Sequence, residues 1–280
     1  MWSIHMNIIK NLFKGGRQKA LTLSYDDGTV QDKRLVSIFN KYGLKATFNL
    51  NSGIQSEENY WINQGKKIQR INIEEIEELY KGHEVAVHSL THPQLEQLSK
   101  EMIIKEIFQD RKNLEKIFGY PVRGMAYPYG TYDDKVIQVM ESCGIEYSRT
   151  VNQHEGFHLP RTFLEWHPTC HHKNPKLMEI AKSFVENAPF GMSLLYVWGH
   201  SFEFEVDENW ELAEEFCKTV SNHDSIWYAT NIEIVDYLKA LDNLKYSADC
   251  EIVYNPSAMS LWISVDEKVV EIKAGETVKL

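Results

Sequence analysis

The 280-residue sequence predicts an α/β fold built on a mostly parallel sheet, open or closed into a barrel, with a small β appendage at its end. Short β-rich runs alternate with stretches whose apolar residues recur at helical spacing. From about residue 242 the helical spacing stops while β-rich runs continue.

Taken in order, 19–25 is β-rich and leads into Asp26-Asp27-Gly28. In 31–42, Leu35, Ile38 and Phe39 form a helical stripe that Gly43 breaks. The run 46–50 reads as a second strand, 73–81 as a helix with a Glu-rich face stopped by Gly82, and 84–88 as a third strand. Ser99 can cap a helix over 99–118, where Ile103, Ile107, Leu114 and Phe118 share one face. The alternation continues through 123–127, 133–143, 146–148, 175–187, 192–198, 209–221, 226–228 and 231–241. Beyond it, 245–254, 260–265 and 268–273 are β-rich and joined by turns. The expected division is an N-terminal extension over 1–17, a catalytic domain over 18–242 and the appendage over 243–280.

A hydrophobic content of 43% and a charged content of 25% are those of a soluble globular chain. A net charge of −10 argues against a general nucleic-acid binder, whose affinity needs clustered Lys and Arg. No apolar run approaches the roughly 20 residues of a membrane span. The apolar stretch near Lys10, Lys14, Arg17 and Lys19 is too short for a secretory signal, so the chain reads as cytoplasmic, or as the processed form of a secreted protein. Met1 and Met6 are alternative starts; from Met6, residues 1–5 would be a foreign leader. Cys143, Cys170, Cys217 and Cys250 form no C-x-x-C pair and read as reduced thiols, mostly buried. Oligomeric state has no signature in the sequence.

Three features stand at the ends of expected strands, where α/β folds place functional loops. Asp26-Asp27 sets two carboxylates side by side, which raises the cost of ionising both unless a metal takes one and leaves the other as a base. The alternative is an ordinary Asp-Asp-Gly turn. His88 and His92, four residues apart, can share a metal or stand as surface histidines. Tyr127-Pro128-Tyr129-Gly130 is a sharp turn at a strand end.

Together these residues resemble the polysaccharide deacetylase family, which shares the nodulation-factor deacetylase homology domain. Ser24-Tyr25-Asp26-Asp27-Gly28 is similar to its T-F-D-D-G motif, His88 to His92 to its H-S/T-x-x-H motif, and Pro128-Tyr129 to the end of R-x-P-Y. The resemblance covers roughly 18–240 and implies a distorted (β/α) barrel of about seven strands. It implies that Asp27, His88 and His92 hold one divalent metal, Zn first, with Co or Ni as alternatives. Asp26 is then the general base, and the Tyr129 N–H helps hold the oxyanion. Trp198-Gly199-His200 falls at the family's L-x-H motif, with His200 as general acid and Trp198 walling the acyl pocket. The implied partner is an acetylated carbohydrate substrate, with no nucleic acid or membrane.

The third motif departs from the pattern, because Ala126 stands where the family has the arginine that pairs with the base. Arg161, on a later segment, is the expected replacement. For the fourth motif Glu165 and Trp166 are the nearest residues. His167, Cys170, His171 and His172 form a cluster open to a second metal or a substrate loop. Tyr60, Trp61 and Tyr132 either stack on sugar or simply pack. The leading expectation is removal of N-acetyl, or O-acetyl, groups from a carbohydrate. The alternatives are hydrolysis of small cyclic amides at the same site, and a silent carbohydrate-binding protein.

Overall fold

The computed structural model describes residues 8–189 and 191–280. The alternative start at Met6 lies outside the described residues. The fold is organised by the strand Lys19–Asp26, all eight of whose residues are buried. One of its edges runs parallel to Ser193–Gly199 over its whole length. The other is shared, with Ile226–Tyr228 along Lys19 to Leu21 and Thr47–Leu50 along Ser24 to Asp26.

Outward from that centre the parallel row continues through Glu84–Val87, Gly124–Ala126 and Tyr147–Arg149 on one side, and through Cys170–His171 beyond Ser193–Gly199 on the other. The two ends meet. The Trp166 N–H donates to Ser148 O at 2.9 Å and its carbonyl accepts from the Thr150 N–H at 3.0 Å. Four residues later Cys170 pairs with Val197. Segment 166–171 thus touches both ends of the row, and the sheet curls into a distorted (β/α) barrel of seven strands in the row, with Ile226–Tyr228 as an eighth beside Lys19–Asp26.

Strand period two divides the side chains. Leu21, Leu23 and Tyr25 join Phe48, Val85 and Val197 in the helix-lined core. Thr22, Ser24 and Asp26 take the other face. There Thr22 Oγ1 donates to Asn231 Oδ1 at 2.7 Å, and Asn49 Nδ2 donates to Ser24 Oγ and to Asp26 Oδ1, each at 2.8 Å. This face therefore carries a cross-bonded polar column, as buried polar groups require, above an apolar layer that includes Ala20, Leu194 and Tyr196. The column leads up to Asp26.

The helix expected over 99–118 is Lys100–Phe118, with the Ser99 side chain accepting from the Met102 N–H and Gly119 closing it at φ 73°. That expected over 73–81 shrinks to Ile76–Leu79, where Ile76 is the single buried residue and no side chain caps the start. A hairpin of Tyr60–Asn63 and Lys66–Gln69 was not anticipated. Its turn is Gln64-Gly65, both at positive φ (47° and 79°), as a two-residue hairpin turn requires.

Leu261–Val265 pairs with Lys268–Ile272 and also with Ile9–Leu12, so the two terminal segments share a sheet. Phe13, Leu261, Ile263 and Ile272 pack with Tyr237 and Leu241 of the helix Asn231–Asp242. The Tyr237 hydroxyl ties them, donating to Leu12 O at 2.9 Å and accepting from the Trp262 N–H at 3.1 Å. We propose that the terminal segments form one supporting unit beside a catalytic unit of about 18–242. Cys143, Cys170 and Cys217 are buried free thiols and Cys250 is half-buried. Among the described residues no helix is long and apolar enough to cross a membrane.

Candidate active site

A cavity of about 530 Å³ opens at the C-terminal ends of the strands, lined by Asp26, Asp27, His88, His92, Tyr129, Trp198 and His200 together with Trp61 and Arg70. Asp26 ends its strand facing inward. Immediately afterwards Asp27 adopts φ 78°, which turns the second carboxylate towards the cavity. Ser89, His92 and Tyr129 also sit at positive φ (64°, 61° and 59°). Such conformations are costly for non-glycine residues and persist where surrounding contacts enforce them.

Those contacts can be named. The His88 N–H donates to Leu50 O at 2.9 Å and to Asp110 Oδ2 at 3.1 Å. Glu106, one turn earlier on the same helix, accepts from the Thr91 N–H and Thr91 Oγ1, each at 2.8 Å. The helix Lys100–Phe118 therefore pins the histidine loop with two acids set in its buried face. Both were legible as carboxylates interrupting an apolar stripe, though the sequence reading passed over them.

His88 is 1% exposed, and its Nδ1 lies 2.7 Å from Ala126 O. That contact makes Nδ1 the donor and turns the Nε2 lone pair into the cavity. His88 Nε2 stands 3.2 Å from His92 Nε2, and His92 Nε2 stands 3.7 Å from Asp27 Oδ1. Burial pushes His88 down to about 4, and burial also lowers His92, so both rings are neutral near pH 7. Burial opposes ionisation of Asp27, but Arg70 and the neighbouring histidines hold its carboxyl at about 2. Two neutral imidazoles and one carboxylate, with donor atoms all within 4.8 Å of one another, suit a divalent metal of the zinc type.

The partner of Asp26 corrects the sequence expectation. Arg149 Nη2 donates to Asp26 Oδ2, and the Arg149 guanidinium lies 4.1 Å from the Trp198 ring centre. Arg161 is exposed and lines a separate cavity with His158 and Glu165. The reason is positional: Arg149 ends a barrel strand and faces inward, whereas Arg161 lies in the loop before Trp166. Burial works against charge on Asp26, but Arg149, His88 and His200 outweigh it and hold the carboxyl below its usual range.

His200 Nε2 lies 4.0 Å from both Asp26 Oδ2 and Asp27 Oδ2, while Nδ1 lies 3.2 Å from Glu203 Oε2. Burial disfavours its charge, but Glu203, then Asp27 and Asp26, raise it to about 9. The cavity therefore sets an ionised carboxylate and a protonated imidazole on the same space, an arrangement suited to base and acid steps at one pH. The Tyr129 ring stands edge-on to His92 at 4.5 Å, and Trp61 reaches the cavity from the hairpin. Tyr60 is exposed, and Tyr132 stacks on Tyr127 at 4.4 Å as ordinary packing.

Arg70 was missed outright. It donates to the Asp27 carbonyl, to Asn51 Oδ1 at 2.9 Å and to Asp27 Oδ1 at 3.2 Å. It follows the hairpin that the sequence did not announce, so no motif pointed to it.

Residues 14–148 match the family model described as polysaccharide deacetylase. Over 126 residues the chain is 29% identical to a peptidoglycan-N-acetylmuramic acid deacetylase of Bacillus subtilis (strain 168), covering 44% of this chain and 24% of that one. Over 143 residues it is 26% identical to a poly-β-1,6-N-acetyl-D-glucosamine N-deacetylase of Staphylococcus aureus, covering 45% and 48%. The chain thus spans about half or less of the curated relatives it matches. A solved structure from Mycobacterium smegmatis superposes with a TM-score of 0.61 at 15% identity, over 83% of this chain and 94% of that one. At that identity it speaks for the barrel alone.

Proposed function

We propose that this chain, whose residues 14–148 match the polysaccharide deacetylase family, is a metal-dependent hydrolase removing N-acetyl, or O-acetyl, groups from a carbohydrate. The observation that carries the reading is that two sets line one cavity. One is Asp27, His88 and His92; the other is Asp26 held by Arg149 and His200 held by Glu203.

Asp27, His88 and His92 would hold the ion, which when bound polarises an acyl carbonyl and acidifies a water. Asp26, ionised and fixed between Arg149 and Asn49, would take the proton of the attacking water. The Tyr129 N–H would donate to the carbonyl oxygen as negative charge gathers there. His200, protonated and oriented through Nδ1, would give its proton to the departing amine or alcohol. Trp198 and the Tyr129 ring would wall a small acyl pocket. Trp61, at the outer rim, would stack on a sugar face.

The test is acetate release from chitooligosaccharides and from acetylated xylan by chelated protein reloaded with Zn²⁺ or Co²⁺. Release is expected with metal, lost on chelation, and lost in Asp26→Asn and His88→Ala. The two substrates separate N-acetyl from O-acetyl specificity. A folded, metal-loaded protein that frees no acetate from either polymer, and none from small acetylated amides, would overturn the proposal.

A further inference from the structure

We propose a second divalent-cation site, separate from the Asp27–His88–His92 set, formed by His171, His172 and Glu203. The barrel builds it on its outer side. Cys170–His171 runs beside the end of Ser193–Gly199, and that strand leads directly into the helix Ser201–Val206, which carries Glu203. The histidine pair and the carboxylate are thereby opposed across one strand end.

His171 Nε2 lies 3.1 Å and His172 Nε2 lies 3.3 Å from the same oxygen, Glu203 Oε2. The three donor atoms fall within 4.8 Å of one another. For ligands at about 2.0–2.1 Å around a tetrahedral ion, neighbouring donors stand roughly 3.3–3.4 Å apart. The carboxylate-to-imidazole distances are already near that spacing.

A second observation is the state of His172. Its side chain is 2% exposed, yet neither ring nitrogen meets hydrogen-bond geometry with any group among the described residues. The ring is not loosely placed. It stacks on Phe204 at 4.1 Å and on Tyr25 at 5.7 Å, and it lies against Gly199, where a Cβ would come within 2.1 Å of Nδ1. A buried imidazole locked in orientation with an unused lone pair costs stability unless a proton or a cation meets it. Burial also lowers its basicity well below the ordinary range, which leaves a metal ion as the better partner.

Glu203 Oε2 is crowded in a way that fits the same reading. Besides the two Nε2 atoms it faces His200 Nδ1 at 3.2 Å and the His200 N–H at 3.1 Å. Four nitrogens surround one oxygen that offers two lone pairs. His171 Nδ1 accepts from the Lys173 N–H at 3.0 Å, so without a cation its Nε2 carries the proton and donates to Glu203. Binding a cation at Nε2 requires that proton to pass to Nδ1 at the cost of the Lys173 bond, whereas His172 offers an unused lone pair as it stands. The nearest lysine, Lys173, is paired with Asp207 at 2.7 Å. Two nitrogens and one carboxylate oxygen select a borderline ion, Zn²⁺ before Ca²⁺ or Mg²⁺. The carboxylate that orients His200 would then also hold the ion, which couples the second site to the acid side of the cavity.

The test is zinc content by mass spectrometry after chelation, reloading with Zn²⁺ and dialysis of the intact protein. Wild type is expected to retain two equivalents. His171→Ala, Glu203→Gln and His92→Ala should each retain one, and His92→Ala combined with His171→Ala none. A wild type holding one equivalent that His92→Ala abolishes would overturn the proposal, and so would two equivalents unaffected by His171→Ala. One equivalent lost in His171→Ala but kept in His92→Ala would instead remove the metal from the proposed hydrolytic site while leaving this one. Should His171→Ala fail to fold, His171→Asn serves in its place with the same zinc measurement: one equivalent fewer than wild type supports the second site, and an unchanged zinc content overturns it.

Discussion

Replacing Arg149 with alanine isolates the contact that most constrains the proposed base. The Arg149 side chain is 1% exposed and that of Asp26 3%, so the variant leaves a carboxylate buried without its counter-charge. Breaking a buried pair from one side costs about 3–5 kcal/mol. Two features place the loss at the lower end, about 3 kcal/mol at neutral pH. Asp26 keeps the Asn49 side-chain amide Nδ2 as a donor at 2.8 Å, and it can escape the penalty by taking a proton. That escape is itself measurable, because loss of an adjacent Arg raises a carboxyl by about 1–3 pH units. The acid limb of the kcat/KM profile should therefore move up by that amount, with urea unfolding reporting the stability change. Arg149→Lys keeps charge without the planar fork and should fall between wild type and alanine. Arg161→Ala is the control, expected within about 0.5 kcal/mol of wild type with an unmoved profile. An Arg149→Ala protein less than about 1 kcal/mol destabilised, with an unshifted acid limb, would refute the reasoning, as would equal effects from Arg161→Ala.

Glu84, buried beneath the cavity, is raised to about 7 from a reference of 4.5, chiefly by burial, although Thr47, Tyr147 and Ile232 all donate to it. The folded state then binds the proton more tightly than the unfolded chain, so the cost of ionising Glu84 is absent below about 4.5 and complete above about 7. Across that window stability should fall by about 3 kcal/mol as pH rises. Glu84→Gln should flatten this part of the stability–pH curve; an unchanged slope would show that Glu84 titrates normally. Glu106→Gln weakens the anchor of the His88–His92 loop, and zinc affinity measured by chelator competition should drop about 10–100-fold with the ligands intact. Unaltered affinity would mean that the loop holds its shape without Glu106.

Much of this protein is legible in the chain itself, because local rules and tertiary needs agree. The alternation of strand and helix follows from periodicity, and Ser99 caps its helix where capping chemistry places it. The seven cavity residues Asp26, Asp27, His88, His92, Tyr129, Trp198 and His200 lie in short motifs that a single strand end can present. What the sequence could not reveal depends on curvature. The sequence reading took Arg161 as the partner of Asp26, whereas Arg149 fills that place. Only the barrel turns a strand-end side chain inward and leaves a loop side chain in solvent. Arg70 reaches Asp27 across a hairpin whose turn signal is one Gln-Gly pair. His171, His172 and Glu203, some thirty residues apart, meet only because parallel strands place their ends in register. The pairing of Ile9–Leu12 with Leu261–Val265 has the same character, as backbone hydrogen bonding carries no residue code across that distance. Sequence determined which chemistries are present at each strand end. Closure of the sheet decided which of them face one another.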